Sequence, residues 1–377
     1  MVNMKTEKLN GIEALRGIAA LVVALGHNRG LFGQVDPGSF MDRITANAIF
    51  GVEVFFIISG FIICYSTRNI KAPSLRNTSA FLIKRFFRIY PVYFVILSIY
   101  VLLFYKNLYT GIHAGGELTI HNIIKSIFLI PLDWNSLPPY YGWGTIIVSW
   151  SLGYELYFYF VFAISMTISI KYRAIISSLI LIAVSISLSL ALSDNIIIDA
   201  QKYYFQGGFL LSHFGFIGNP IVFDFILGML ISHITPYIDR LNINNDIVNS
   251  FAIAFLGLSF VFWLNGMSEG HGITRSAYIA FTIVICVITL EKHSIIKFSN
   301  ALTSLGAISY SLYLIHVPVI KFIELYGQLI GLNTNVRSLA LYISSITISI
   351  CLAYIIYNAI EKPFINTGAK LARRISK

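Results

Sequence analysis

Residues 174–192 read AIISSLILIAVSISLSLAL, nineteen positions without a charged group, and 338–360 repeat that pattern over twenty-three. A helix rises ~1.5 Å per residue, so ~20 apolar residues cross the ~30 Å hydrocarbon core of a bilayer. Lipid offers the backbone no hydrogen-bond partner, which makes such runs helices. The rest of the chain agrees with these two segments. Of its 377 residues 56% are hydrophobic and 12% charged, and the mean hydropathy is +0.75. A soluble domain carries roughly 25% charge, so this chain has too few charged groups to coat a water-facing surface. Further apolar stretches lie near 12–31, 45–66, 88–105, 147–170, 213–232, 247–265, 275–291 and 306–326. The expected fold is an all-α polytopic membrane protein with about ten transmembrane helices. A single transmembrane domain over 1–364 is followed by a basic tail, 365–377. The stretch 121–131 is apolar but too short to span, so a re-entrant or surface helix is expected there.

The net charge of +10 does not signal nucleic acid, because the basic residues cluster in short connections between apolar runs, as the positive-inside rule expects. With the N-terminus inside, 19 of the 27 Lys and Arg fall on the cytoplasmic side, six of them between 67 and 88. Both termini are then cytoplasmic. No small-x-small cleavage site follows the apolar run 17–25, so the first span is read as retained. Cys64, Cys286 and Cys351 each sit in an apolar stretch without metal-type spacing, and no metal site is expected. Trp134, Trp143, Trp150 and Trp263 fall at the outer face, either as an aromatic belt or, in the loop PLDWNSLPPYYGWG (131–144), as rings able to stack on a sugar.

Ionisable groups inside spans are costly, and each is a candidate functional residue. His27, Glu53, Glu155, Asp224 and His316 qualify. Counted from the span ends, His27 lies ~6 Å, Glu53 ~11 Å and Glu155 ~12 Å below the outer face, with His316 near mid-membrane. Two histidines and two carboxylates can therefore share one layer, where an imidazole titrating near neutrality and a carboxylate that fixes its tautomer provide general-base chemistry. The alternative is a polar network that only holds helices together. Arg16 stands eleven residues before His27, three turns and ~16 Å away on nearly the same face. It reads either as a topology signal or as one of a set of phosphate ligands with Arg85 and Arg88, whose guanidinium forks suit phosphate. A phosphate-rich donor held at the cytoplasmic end could then extend a reactive arm to His27.

The motifs themselves are more specific. The first span reads GIEALRGIAALVVALGHN, with ten residues between its arginine and its histidine. GVEVFFIISGFII (51–63) carries Glu53, Ser59 and Gly60, and FLIKRFFRIYPVY (81–93) carries Arg85, Arg88 and Pro91. SWSLGYELYFY (149–159) holds Glu155, SYSLYLIHVPV (309–319) holds His316, and Glu361-Lys362-Pro363 closes the series. In this order the motifs resemble the membrane-bound acyltransferase family 3, whose members O-acylate bacterial surface and secreted glycans. The resemblance runs from Gly11 to Phe364. It implies ten helices in the bacterial inner membrane, a cytoplasmic acyl-CoA co-substrate with no permanently bound cofactor, and an acceptor hydroxyl on a glycan or lipid-linked saccharide. It also marks Arg16 and His27 as essential; acetyl is the acyl group expected first. One branch of the family fuses a C-terminal soluble domain that handles the acyl group outside. Without that domain, transfer is expected to finish in the membrane or to use a separate partner. The family's paired arginines stand here as Lys84-Arg85, which weakens position 84 only.

The expected activity is acyl-CoA-dependent O-acyl transfer. Arg16, Arg85 and Arg88 bind the donor, and His27 acts as base or transient acyl carrier. Glu155 orients His27, and Glu53, Ser59 and His316 support the site. Two rivals stand beside it. A transporter of a lipid-linked saccharide would also use mid-membrane charges, but the sequence shows no internal symmetry and no paired broken helices. A multipass glycosyltransferase would want an acidic pair in an early outer loop, where only Asp36 and Asp42 stand.

Overall fold

The computed structural model describes residues 9–104, 119–133, 136–205, 209–238, 245–267 and 269–376, except for the side chains of 209–212. Trp134, Arg240 and Lys377 lie outside the described residues. The chain is an all-α polytopic membrane protein, with no strand among the described residues. Its principal helices are α1 (Asn10–His27), α2 (Phe50–Thr67), α3 (Leu75–Phe104), α4 (Trp150–Ile168), α5 (Arg173–Ser193), α6 (Phe223–Ile238), α7 (Asn245–Leu264), α8 (Ala277–Lys292), α9 (Ser309–Tyr326) and α10 (Leu339–Ile356). Eight segments among the described residues are long and apolar enough to cross a bilayer. The other two expected spans, α1 and α8, are helices at the expected places. One carries Glu13, Arg16 and His27, and the other is only 16 residues long.

Small residues set the packing, as they do where lipid gives helices no hydrophobic reason to associate. At the crossing of α2 and α6, a Cβ added to Gly60 would come 2.1 Å from the Phe225 carbonyl oxygen, and one on Gly228 would come 1.9 Å from that of Ile57. Helix α5 turns Ser177, Leu181, Ser185 and Ser189, four residues apart, toward the protein, while Ile175, Leu179, Ile182 and Leu190 stay exposed on its other side. Helix α1 packs against α2, α8 and α9 and forms the centre of the bundle. The stretch beginning near 121 forms a helix of eight residues, Ile120–Ile127, too short to cross and tied down where Tyr93 donates to the Ser126 carbonyl at 2.6 Å.

The span expected near 213–232 is present as His213–Tyr237, with a break inside it: Phe209–Gly218 ends at Asn219, whose side chain accepts from the Ile221 N–H, and Pro220 starts a short 3-10 turn before α6. Proline lacks the N–H needed to continue the ladder. The boundary expected at 364 falls inside a helix. After α10, a π-helical turn (Tyr357–Glu361) leads directly into Lys362–Ile375. That last helix lies along α3, where Gly368 fits against Phe87.

Candidate functional site

Two cavities meet inside the bundle. The first, ≈ 170 Å³, is lined by Arg16 from α1, Ser59 from α2, Arg85 and Arg88 from α3, and Glu155 and Tyr159 from α4. The i, i+3 spacing of Arg85 and Arg88 puts both on one face of α3. Glu155 accepts from the Ser59 hydroxyl at 2.8 Å and from the Tyr159 hydroxyl. The Arg85 guanidinium lies 5.3 Å from the Tyr159 ring centre and donates to Ser66 Oγ at 3.0 Å. Its Nε is buried without a partner. Arg16 is buried, and its Nη1 stands 3.8 Å from Glu13 Oε2, too far for a hydrogen bond. Glu361, from the π-helical turn, accepts from Ser311 Oγ at 2.6 Å and is an electrostatic neighbour of both Arg16 and Arg88. Three guanidiniums therefore face three carboxylates, Glu13, Glu155 and Glu361. The site is a balanced ionic network with unused donors, not the bare cationic cradle suggested by arginine spacing alone.

The second cavity, ≈ 230 Å³, shares Val52 and Tyr313 with the first and is lined by His27, Thr45, Tyr140, Trp143, Trp150 and His271, among others. His27 is the last residue of α1, and its side chain is exposed to this space although it lies inside the bundle. His316 is fully buried behind it. The His316 Nδ1 lies 3.0 Å from the Leu312 carbonyl, which only accepts, so Nδ1 carries the hydrogen and Nε2 accepts. The partner of that Nε2 is His27 Nδ1 at 3.1 Å, and the Val23 carbonyl is a second acceptor, also at 3.1 Å. Both contacts require hydrogen on His27 Nδ1, so His27 Nε2 keeps its lone pair. The helix C-terminus at this ring favours an imidazolium once a proton or an acyl group is taken up.

The carboxylates do not sit where their depths suggested. Glu155 does not orient His27: it lines the arginine cavity, bonded to Ser59 and Tyr159. His27 is oriented by His316. Glu53, fully buried, accepts from His271 Nδ1 at 2.7 Å and from the Gly272 N–H at 3.2 Å. His271 Nε2 lies 3.1 Å from the Tyr140 hydroxyl. Asp224 is buried beside Glu53 with neither oxygen hydrogen-bonded. Trp143 and Trp150 face the cavity rather than lipid, with Tyr140 stacked on Trp143 at 3.7 Å. Trp263 instead donates to the Asn47 carbonyl. Sequence reasoning missed His271 and Glu13. The signal for His271 was EGHGITR (269–275), a polar loop whose two glycines take φ of +95° and +92°, the left-handed region that glycine tolerates. Among the described residues no group of three or more His, Cys, Asp or Glu is placed to hold a metal ion.

A basic cavity beside one with an accessible histidine, inside an all-helical membrane bundle, fits a group-transfer enzyme. A family profile described as an acyltransferase domain matches residues 9–358, and the chain belongs to this family of membrane acyltransferases. Among known proteins it is similar to the exopolysaccharide production protein ExoZ of Rhizobium meliloti (strain 1021), 27% identical over 336 residues, which is 86% of this chain and 92% of that protein. It is also similar to protein 2 in the picA locus of Rhizobium radiobacter, 30% identical over 88 residues, 23% of this chain and 41% of that protein. No solved structure matches it significantly.

Proposed function

We propose that the protein moves an acyl group, acetyl in the first instance, from cytoplasmic acyl-CoA to a hydroxyl of a glycan or lipid-linked saccharide in the bacterial inner membrane. Arg16, Arg85 and Arg88 take the donor's phosphates at the end of the bundle that the Lys and Arg bias places inside, and the thioester reaches His27 past Val52 and Tyr313. His27 Nε2 serves as base or acyl carrier, while Glu155 and Glu361 keep the guanidiniums in place. Each cavity is below the roughly 300 Å³ usual for a ligand pocket. This suits an extended arm threaded inward with the nucleotide left at the mouth. A relative whose name states exopolysaccharide production supports a saccharide acceptor.

The observation that carries this reading is that the two cavities are neighbours sharing Val52 and Tyr313 as wall residues, which puts a base with a free lone pair next to a site rich in guanidinium donors. The transporter alternative lacks a matching observation: among the described residues, only the helix pair at Asn219–Pro220 forms a broken span. The test has two arms. Mass spectrometry of surface glycans from a deletion strain should show a sugar losing one acyl mass, restored by the wild-type gene but not by His27→Gln. Purified protein should retain acetyl-CoA, and Arg16→Ala should not. A His27→Gln protein that inserts normally and restores the glycan would overturn the reading.

A further inference from the structure

The cavity that His27 opens on has a second histidine with all the fittings of a base. A carboxylate can only accept, so the 2.7 Å contact to Glu53 Oε1 puts the hydrogen of His271 on Nδ1 and leaves Nε2 with a lone pair. The Gly272 N–H fixes the same Glu53 oxygen. The lone pair is met by the Tyr140 hydroxyl at 3.1 Å. Glu53, His271 and Tyr140 thus form a hydrogen-bonded chain from the buried interior to the cavity, in the order carboxylate, imidazole, hydroxyl. The other Glu53 oxygen, Oε2, is buried without a hydrogen-bond partner, near Asp224, a cost that a purely structural set would not need to carry. The loop that carries it is held by the Gly270 and Gly272 backbone and by Arg275, which donates to both oxygens of Asp199 at 3.2 and 3.0 Å. None of Glu53, His271 and Tyr140 is hydrogen-bonded to His27, whose own partners are His316 and Val23.

The cavity also has a polar annex. Ile49 lines both it and a hollow of ≈ 230 Å³ walled by Asn47, Gln201, Glu269 and Arg275, immediately beside Gly270. These side chains suit hydroxyl groups. The annex lies on the His271 side of the cavity, whereas the arginines belong to the other neighbour, past Val52 and Tyr313.

We propose that His271, oriented by Glu53 and acting through the Tyr140 hydroxyl, is the base that takes the proton of the acceptor hydroxyl, leaving His27 free to carry the acyl group. The proposal rests on the acyl-transfer reading above and divides it into two steps. In the first, His27 Nε2 attacks the thioester carbonyl, the C–S bond breaks, and CoA leaves as thiolate, producing an acyl-imidazolium that keeps its Nδ1 hydrogen. In the second, the acceptor oxygen attacks the acyl carbon as its proton passes to Tyr140 Oη and the proton of Tyr140 passes to His271 Nε2. The C–N bond breaks and His27 returns neutral. The His271 imidazolium, held by Glu53, then releases its proton to solvent, where it balances the thiolate.

The test uses membranes of a deletion strain expressing the full chain, supplied with radiolabelled acetyl-CoA, with label counted separately on the protein and in the saccharide and lipid fraction. His271→Asn keeps a donor for Glu53 and removes Nε2, while Tyr140→Phe keeps the ring stack and removes only the hydroxyl. Losing a general base costs about 100-fold or more in rate. Both variants should therefore transfer at least about 100-fold more slowly while label builds up on the protein, and His27→Gln in the same background should abolish that label. Should His271→Asn not insert, Tyr140→Phe decides alone. Wild-type transfer rates in the variants overturn the proposal, as does lost transfer without label on the protein. If wild-type membranes themselves neither take up nor pass on label, the failure lies in the acyl-transfer reading.

Discussion

Replacing His316 with asparagine tests whether the second histidine of the pair positions the first or reacts itself. His316 Nε2 accepts from His27 Nδ1 at 3.1 Å, and its Nδ1 bond to the Leu312 carbonyl stays within α9. Asparagine is too short to reach His27, yet its amide can still donate to the Leu312 carbonyl. His27 Nδ1 is not orphaned either, because the Val23 carbonyl stands at the same 3.1 Å. The variant therefore takes one neutral hydrogen bond from His27 without orphaning its Nδ1, a difference at the reacting ring of about 0.5–1.5 kcal/mol. At 1.36 kcal/mol per decade, that is about a 2- to 13-fold fall in acyl transfer. His27→Gln removes the reacting nitrogen and should fall about 100-fold or more. Initial rates of labelled acetyl transfer in membranes, normalised to inserted protein, separate the two scales. A His316→Asn protein as inactive as His27→Gln would refute the reasoning, because the ring at 316 would then be doing chemistry of its own. No change at all would mean that the imidazole pair is not used to hold His27.

Two further predictions concern the frame around the site. Gly228→Ala places a methyl 1.9 Å from the Ile57 carbonyl oxygen, which can be relieved only by parting α2 from α6. Overpacking of this kind costs about 1–3 kcal/mol, so the thermal midpoint in detergent should fall clearly, whereas Gly257→Ala, inside α7 with open space around it, should not lower it. At the loop that carries His271, burial works against the Asp199 carboxylate. The Arg275 guanidinium and the Gln201 amide outweigh burial and hold the carboxyl below the usual range. A depressed folded value means that the stabilisation is complete above the unfolded value of about 3.9 and is lost as pH falls through the folded one. Asp199→Asn should therefore melt lower than wild type at pH 6, with the gap closing below about pH 4. A gap that persists unchanged into acid would show that the ion pair is not its source.

The sequence exposed one coordinate of the site and hid the others. Hydropathy located the helices because a span is a one-dimensional property: ~20 apolar residues between polar ends. Spacing along one helix was equally legible, so Arg85 and Arg88 share a face and Arg16 enters the same cavity as both. Depth arithmetic, however, gives position along the membrane normal and nothing about rotation around each helix. Glu53 and Glu155 came out at nearly equal depth, yet Glu53 turns toward the loop after α7 and Glu155 toward the arginines. That rotation is fixed by contacts such as Gly60 on Phe225 and Gly228 on Ile57, which join residues far apart in the chain and leave no periodic trace.

His271 escaped for a related reason. A search for costly groups inside spans passes over a loop, although a loop folded back into the bundle can be as buried as any helix. Its burial is complete here because Glu53, inside α2, supplies the partner that makes it tolerable. The intramembrane carboxylate was visible and its histidine was not. The general consequence is that an acidic residue read inside a span should be paired with histidines in the connecting loops as well as with those in neighbouring helices. In this chain that rule adds one histidine, His271, to the cavity of His27.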